Sequence, residues 1–229
     1  MLIDCVVMCG GFGSRLKPFT YLIPKPFLTS NNISPFDYTI KNLSNNNLIN
    51  KIFITIYYKK DYVKKIIRNK KILNSVKIEE KKPLGTAGSL KTILKKSKSK
   101  HFIVINGDIF SKINYQSLIK KHLREKCDLT VCVKEHKINI PYAILTTSKS
   151  RKFSFKEKPT IKKKINTGIY VINTNFLKKF FNKKKDDFVN MDEVLRKAKK
   201  INIFDIGNKW IDIGHIDDFK RAFHEIKNW

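Results

Sequence analysis

Residues 3–15 read IDCVVMCGGFGSR, and this stretch decides how the start of the chain folds. The apolar, partly β-branched run from Ile3 to Met8 predicts a buried β-strand. Gly10, Gly11 and Gly13 follow that strand closely. Glycine permits positive φ angles and close approach, so the backbone N–H groups of such a loop can turn towards phosphate groups. The stretch therefore predicts a phosphate-binding loop after a strand.

The two commonest phosphate-binding loops do not fit this stretch. A dinucleotide-binding fingerprint would need a third Gly or Ala where Leu16 stands, and a P-loop would need Gly-Lys-Ser or Gly-Lys-Thr. Pro18 also disfavours an immediate helix, because the residue before a proline is pushed out of the α region. The loop therefore belongs to some other kind of phosphate site.

Strand-like and helix-like segments alternate through the first part of the chain. The predicted strands are residues 3–8, 51–57, 102–105 and 129–133. The predicted helices carry apolar residues at three- and four-residue spacing and are residues 36–43, 61–68, 87–94 and 115–123. This alternation predicts an α/β, Rossmann-like fold, in which helices cover both faces of a mixed, mainly parallel sheet in three α/β/α layers.

After Glu135 the predicted strands follow one another closely in sequence. They are residues 142–146, 152–156 and 165–172, followed by helices at 174–181 and 191–198, strands at 201–206 and 209–213, and a helix at 217–226. This pattern indicates an antiparallel extension of the sheet. We expect a single domain over residues 1–229, whose two halves meet at residue 135.

The chain is strongly basic, with 48 Lys and Arg residues against 19 Asp and Glu residues and a formal net charge of +29. Such a charge raises the hypothesis of a nucleic-acid binder. The lysines are spread along the whole sequence, and only short runs such as 162–164 and 183–185 cluster. Solvated surface is therefore the favoured interpretation, and no nucleic-acid partner is expected.

The cysteines indicate a reducing compartment. Cys5, Cys9, Cys127 and Cys132 form no CxxC pair and have no histidines at zinc spacing, so neither a structural metal nor a disulfide framework is predicted. The apolar residues before Gly10 are too few for a signal sequence or a membrane span. We expect a soluble, cytoplasmic protein with no membrane partner.

A longer string around the glycine loop is more specific. Residues 10–26 read GGFGSRLKPFTYLIPKP, and the spacing of glycines, Arg, Pro, Thr and Lys-Pro resembles the signature of the nucleotidylyltransferases that join a nucleoside triphosphate to a sugar 1-phosphate. The resemblance continues through PLGTAGSL at 83–90, NGD at 106–108, FKEKP at 155–159, NTGIYVIN at 166–173 and WIDIGHIDDF at 210–219. It is closest to the branch that uses GTP with mannose-like, heptose or amino-sugar 1-phosphates. It implies an enzyme of nucleotide-sugar biosynthesis, with residues 1–135 as the nucleotide-binding half and residues 136–229 as the sugar-phosphate-binding half.

The implied reaction brings two polyanions together, because a sugar phosphate oxygen attacks the α-phosphorus while pyrophosphate leaves in line. Cations are therefore expected as catalytic residues. Arg15 fits the departing β,γ-phosphates, since a guanidinium can bond two oxygens at once, and Lys25 fits the α-phosphate and the incoming sugar phosphate. The nucleotide-binding residues that the resemblance adds are Met8, Gly10, Gly11, Gly13, Glu80 and Gly85.

Asp108 follows a predicted strand, at the edge where open α/β sheets bind ligands. In the family this catalytic aspartate holds Mg²⁺, an ion usually bound by one or two carboxylates and by substrate phosphates. Asp212, from the far half of the chain, is implied as the second carboxylate. Asn-Gly-Asp is also good turn chemistry, so a turn role for Asp108 is the alternative.

Glu157, Lys158 and Asn166 are implied as the sugar-phosphate-binding residues. In the family the glutamate accepts hydrogen bonds from sugar hydroxyls and the lysine meets the sugar phosphate, while Asn166 offers both a donor and an acceptor. The chain has Ala143 where relatives commonly have glycine, and Thr167 where they have alanine or glycine. These departures predict a narrower or reshaped sugar pocket.

The base is expected to be guanine. Glu80 stands five residues before Gly85, the position from which relatives probe the base edge. An ionised carboxylate only accepts hydrogen bonds, which complements the N1–H and N2 amino donors of guanine, whereas Gln would suit uracil or thymine better. Glu79 is adjacent and either glutamate could be a solvated strand residue, so CTP and UTP stay open.

Other classes of protein also stay open at this point. A regulatory relative that only binds nucleotide sugars would have lost the cations or the metal carboxylate, yet Arg15, Lys25, Asp108 and Asp212 are all present. A cytidylyltransferase for a phosphorylated amino alcohol shares the fold and the loop, but the EKP and NTG motifs favour a sugar. The sugar, the pathway and a homo-oligomer stay open.

Overall fold

The centre of the molecule is a seven-stranded mixed sheet, seen in a computed structural model that describes residues 2–30, 32–70, 72–147 and 153–229. In chain order the strands are β1 (Ile3–Met8), β2 (Ile49–Ile56), β3 (Ser75–Glu79), β4 (His101–Asn106), β5 (Ile109–Ser111), β6 (Leu129–Asn139), β7 (Ile144–Thr147), β8 (Phe153–Lys156), β9 (Thr160–Asn173), β10 (Ile201–Asp205) and β11 (Trp210–Asp212). The order across the sheet is β10-β6-β9-β4-β1-β2-β3. β1 pairs in parallel with β2 and β4, whereas β9 runs antiparallel between β4 and β6.

Helices cover both faces of this sheet. They are α1 (Pro35–Ser44), α2 (Lys60–Asn69), α3 (Ser89–Lys96), α4 (Tyr115–Glu125), α5 (Thr174–Asn182) and α6 (Met191–Lys197). A further helix, α7 (Ile216–Glu225), packs instead in a separate apolar cluster with residues of β5 and β11. Because successive side chains of a strand point to opposite faces, Cys5 and Val7 of β1 join a core with α1, α2 and α4, while Val6 joins a core with α3, α5 and α6. The predicted three-layer α/β/α fold is confirmed. Across the described ranges, no helix has the length and apolar character needed to cross a membrane.

The antiparallel extension is a long ribbon made by β6 and β9. Its register runs from Leu129 opposite Ile172 to Asn139 opposite Thr160. β7 and β8 form a separate antiparallel hairpin, and β5 and β11 form another two-stranded antiparallel sheet. Residue 135 lies inside β6, so the main sheet continues across the boundary expected between the two halves.

Several strand bounds differ from those predicted. β3 is absent from the predicted strands because it is an edge strand with only Ile78 buried, and β5 is absent because it has just three residues. The predicted ranges of β6 and β9 are shorter than the observed strands. The residues that extend these strands are mostly exposed and lack an apolar pattern, so the sequence does not reveal them. The strand predicted at 152–156 is observed as β8, and Lys152 lies outside the described residues.

Candidate active site

The glycine loop leaves the carboxyl end of β1 and is held beside the end of β4. The N–H of Gly107 donates to the carbonyl oxygen of Met8 at 2.9 Å. Gly13 has a φ of +62°, and a Cβ there would lie 2.9 Å from Cγ2 of Thr20, so both conformation and space require glycine. A Cβ on Gly11 would meet no atom within 4 Å. The loop therefore has no room for a side chain at Gly13, whereas Gly11 borders open space.

A buried lysine links two carboxylates beside this loop. Lys25 is 6% exposed, and its Nζ donates to the carboxylate of Asp108 and to Oδ1 of Asp212, the latter at 3.3 Å. Asp108 lies in the turn between β4 and β5, as its Asn-Gly-Asp context indicates, and Asp212 ends β11. β5 and β11 pair with Asp212 opposite Ile109, and this register brings the two aspartates together. Three predicted site residues thus form one cluster.

The cluster combines like charges with compensating cations. Burial raises the pKa of Asp212 above its ordinary value, and the carboxylate of Asp108 raises it further, while Lys25 and Arg15 act in the opposite direction. Arg15 is exposed, and its Nη1 lies 3.6 Å from the position that a Cβ on Gly214 would take. The fourth predicted residue of the reaction therefore lies at the same site.

The two carboxylates are suitable ligands for a hard divalent cation. Mg²⁺ prefers oxygen ligands and is usually held by one or two carboxylates together with phosphates. Asp108 and Asp212 already converge on one positively charged group, the Lys25 ammonium. Within the described residues no three His, Cys, Asp or Glu side chains are arranged so that they could hold a metal ion, so a metal here would also need ligands from substrate or water.

Two adjoining cavities open over these residues. The first has a volume of about 180 Å³, and its walls include Gly11, Gly13, Arg15, Lys25, Asp108 and Gly214. The second has a volume of about 390 Å³, and its walls include Met8, Gly10, Glu80, Gly85, Asn106 and Phe188. Gly11 and Asp108 line both, so the two cavities are parts of one cleft. The first part gathers charged groups, and the second is large enough for a planar ring.

Glu80 faces the second cavity, and Glu79 does not. Glu80 is 7% exposed, and a Cβ on Gly10 would lie 3.5 Å from its Oε1. Burial raises the pKa of Glu80 to about 7, against the opposing effect of the hydrogen bond that the Leu84 N–H donates to it. Glu79 is instead exposed and forms an ion pair with Lys60 at 3.1 Å. The structure thus places Glu80 in the cleft, whereas Glu79 is the solvated strand residue.

The three predicted sugar-phosphate residues do not form one group with the Lys25 cluster. Glu157 and Lys158 are exposed on the loop between β8 and β9, and no hydrogen bond or ion pair within the described ranges connects them to that cluster. Asn166 lies two residues before Gly168, which packs against a residue of the cleft, because a Cβ on Gly168 would lie 2.5 Å from Nδ2 of Asn106. The amide of Asn166 donates to the Tyr170 hydroxyl at 2.8 Å and accepts from the Gly168 N–H at 3.0 Å.

The side chain of Thr167 lines neither cavity. Its side chain is 1% exposed, and its hydroxyl donates to the carbonyl oxygen of Cys132 at 2.8 Å. Its own carbonyl accepts a hydrogen bond from Nε1 of Trp210 at 2.9 Å. Thr167 is therefore a packing residue between β9 and β6. Ala143 lies on an exposed turn before β7.

The cleft also contains residues that sequence reasoning missed. Phe12 is 50% exposed, Phe188 is 53% exposed, and both line the second cavity with Asn106. Phe12 and Asn106 lie inside quoted motifs and could have been included on position alone. Phe188 belongs to the segment between α5 and α6, which carries no motif. Phe188 reaches the cleft because the next residue, Val189, packs against Gly85. Gly85 has a φ of +72°, and a Cβ on it would lie 2.5 Å from the Val189 carbonyl oxygen.

A comparison with known protein families shows which family this chain belongs to. The family model described as "Nucleotidyl transferase" matches residues 4–228. The chain belongs to the nucleotidyl transferase family. The resemblance predicted from the motifs is thereby confirmed, and so is the prediction of an enzyme.

The nucleotidyl transferase is similar to named relatives along its whole length. It is 28% identical over 232 residues to the D-glycero-alpha-D-manno-heptose 1-phosphate guanylyltransferase of Aneurinibacillus thermoaerophilus, covering 99% of this chain and 100% of that protein. It is 28% identical over 228 residues to the mannose-1-phosphate guanyltransferase of Emericella nidulans, covering 95% of this chain but only 62% of that longer protein.

Solved structures show the same likeness. The crystal structure of HddC from Yersinia pseudotuberculosis superimposes with a TM-score of 0.75 at 26% identity, covering 98% of this nucleotidyl transferase and 100% of that chain. A structure of the same protein complexed with GMP-PN gives a TM-score of 0.75 at 25% identity, with the same coverage of both chains.

Proposed function

We propose that this nucleotidyl transferase moves a GMP group from GTP to a sugar 1-phosphate, giving a GDP-sugar and pyrophosphate. The observation that carries the proposal is the Lys25 ammonium between the carboxylates of Asp108 and Asp212, beside the glycine loop. This cluster lies where β1 and β4 end, at the edge where open α/β sheets bind ligands. A reaction between two phosphate-bearing molecules needs cations and oxygen ligands at one place, and the cluster supplies both.

In the proposed step, an oxygen of the sugar 1-phosphate attacks the α-phosphorus of GTP. A phosphorus–oxygen bond forms there, the bond to the oxygen that bridges to the β-phosphate breaks, and pyrophosphate leaves with that electron pair. Arg15 is proposed to bind the β,γ-phosphates, and Lys25 the α-phosphate and the sugar phosphate. Both residues would act by orienting anions, since the attacking oxygen is already ionised.

Mg²⁺ is proposed as the cofactor, with Asp108 and Asp212 as its protein ligands. When bound, the ion would neutralise phosphate charge that otherwise opposes the attack. The pairing of β5 with β11 holds the two carboxylates together before any substrate arrives. Lys25 keeps them compensated in that state.

GTP is proposed over CTP and UTP for two reasons. The heptose and mannose relatives are named as guanylyltransferases, and HddC was solved with GMP-PN. Glu80 places an acceptor-only carboxylate in the second cavity, where it would complement the two donors on the guanine edge. The other proposed nucleotide-binding residues are Met8, Gly10, Gly11 and Gly85 in the wall of this cavity and Gly13 in the wall of the first.

The sugar 1-phosphate is proposed to be a mannose-like or heptose 1-phosphate, after the names of the relatives. Glu157, Lys158 and Asn166 remain the proposed contacts, from the half of the chain that follows residue 135. Glu157 and Lys158 would have to meet the sugar from their exposed loop. We further propose a cytoplasmic location, where nucleoside triphosphates are abundant and the four cysteines, all buried and free, would stay reduced.

Pyrophosphate release tests the proposed function. Purified protein with Mg²⁺ is given GTP, ATP, CTP or UTP together with mannose, heptose or glucosamine 1-phosphate. We expect release with GTP and one of the sugar phosphates, and loss of release when the metal is chelated. Preference for CTP or UTP would contradict the guanine assignment. Binding of a GDP-sugar without release from any pair would instead indicate a non-catalytic relative.

Asp108→Asn tests the role of the carboxylate. The substitution keeps the shape of the side chain and removes its charge, so turnover should fall at least about a hundredfold, as for other lost transition-state stabilisers. Asp205→Asn is the matched control, because Asp205 is exposed at the end of β10. Initial rates at saturating GTP measure the effect. A rate for Asp108→Asn close to that of Asp205→Asn would refute the assignment.

A further inference from the structure

Phe188 brings an exposed aromatic face into the second cavity from a remote part of the sequence. It lies between α5 and α6, is 53% exposed, and lines the cavity together with Glu80 and Gly85. We infer that Phe188 is the surface on which the nucleobase stacks while Glu80 contacts its edge. This inference rests on the proposed function and adds a residue for which no motif of the chain accounts.

The backbone around Phe188 is fixed against the loop that precedes α3. Val189 is fully buried, and its N–H donates to the carbonyl oxygen of Leu84 at 3.0 Å. Asp187, on the other side, forms an ion pair with Lys91 at 3.0 Å. Val189 therefore anchors the segment in the core, while Phe188 beside it is half exposed and lines the cavity.

The ring of Phe188 is available to a ligand, whereas the ring of Phe12 is already in contact with others. Phe12 packs edge-on against Tyr57 with ring centroids 5.6 Å apart, and against Tyr58 at 5.5 Å. In the parts of the chain that the structure describes, no aromatic ring or side-chain cation packs on Phe188 in this way. An aromatic side chain that leaves its face open beside a cavity is suited to bind a planar ring.

Stacking on Phe188 and hydrogen bonding to Glu80 would contribute to different aspects of nucleobase recognition. Stacking on an aromatic face is tolerant of base identity and changes affinity by about tenfold or more per ring. The carboxylate of Glu80 distinguishes one base edge from another. Phe188 should therefore set how tightly the triphosphate binds, and Glu80 should set which triphosphate is preferred.

Kinetics of Phe188→Ala, Phe188→Tyr and Leu73→Ala test the inference. Leu73 is the matched control for loss of an exposed apolar side chain, because it is 82% exposed and lines neither cavity. We expect Phe188→Ala to raise KM for GTP about tenfold or more while kcat and KM for the sugar phosphate change less than about twofold. Phe188→Tyr keeps the ring and should stay near the wild type.

Two outcomes would overturn the stacking role. One is a KM for GTP in Phe188→Ala within about twofold of the wild type, and the other is a fall in kcat or in melting temperature without a change in that KM. Direct titration with GTP separates this inference from the proposed function. If the wild type binds GTP but releases no pyrophosphate, the proposed function fails, and the GTP affinity of Phe188→Ala still decides the role of the ring.

Discussion

Lys25 is a nearly buried cation that is stable because two carboxylates face it. Removing an ammonium from water is costly unless it is paired, and Asp108 and Asp212 provide that pairing. The phosphate groups of a substrate also present negatively charged oxygens, so the Lys25 ammonium is positioned to bind them. Each of the three residues could be predicted from its motif. Their contact could not, because Lys25 is 83 positions from Asp108 and 187 from Asp212.

Glu80 should make GTP binding depend on pH near neutrality. Burial raises its pKa to about 7, so the ionised fraction falls as the pH is lowered through 7. A protonated carboxyl loses an acceptor that guanine needs. KM for GTP should therefore rise about tenfold between pH 8 and pH 6, one unit below the raised pKa. Steady-state kinetics over this range measure the effect.

Glu80→Gln is the reference for that measurement, because GTP itself also titrates in this range and a glutamine does not ionise. The variant should bind GTP more weakly at pH 8, and the ratio of its KM to that of the wild type should shrink as the pH falls. A ratio that stays constant between pH 8 and pH 6 would show that the carboxylate of Glu80 does not contact the base.

At the scale of elements, Gly85 is the point where two segments meet, and it should be sensitive to substitution. Its φ is +72°, and a Cβ there would lie 2.5 Å from the carbonyl oxygen of Val189. Gly85→Ala should therefore lower the free energy of unfolding by more than backbone strain alone would, because the segment that holds Phe188 must move. We expect a lower melting temperature together with a higher KM for GTP.

Gly207→Ala is the matched control for this prediction. Gly207 has the same φ of +72°, but a Cβ there would meet nothing within 4 Å. Gly207→Ala should lower the free energy of unfolding by about 1–2 kcal/mol, which corresponds to a fall of roughly 2–8 °C in melting temperature. Gly85→Ala should lose clearly more than this. Equal melting temperatures for the two variants, with an unchanged KM for GTP, would contradict the account of this junction.

The strands and helices differ in how far their sequences reveal them. β1, β2 and β4 could be predicted because they are buried apolar runs, and the helices because their apolar residues recur at helical spacing. The outer parts of β6 and β9 could not, because both faces are exposed there and lysines replace the apolar pattern. Those residues are ordered by the pairing of β6 with β9. This pairing cannot be read from the local sequence pattern of either strand.

At the scale of the whole molecule, one cleft is assembled from segments spread along the chain. The glycine loop and Lys25 come from its start, the turn at 106–108 from its middle, and Phe188 and Asp212 from its second half. The glycine loop and the turn could be predicted because glycines and turn residues leave local signals, and Lys25 and Asp212 because they lie in recognisable motifs. The segment 183–190 could not, because its position is set by contact with residues 84–87.

The central claim is that the two substrates meet at the Lys25, Asp108 and Asp212 cluster and exchange a GMP group. The direct measurement is to follow GTP labelled either at the α-phosphorus or at the γ-phosphorus, with Mg²⁺ and mannose or heptose 1-phosphate. The account predicts that the α-label appears in a GDP-sugar and the γ-label in pyrophosphate. Release of the γ-label as inorganic phosphate, or an α-label that never joins a sugar, would contradict it.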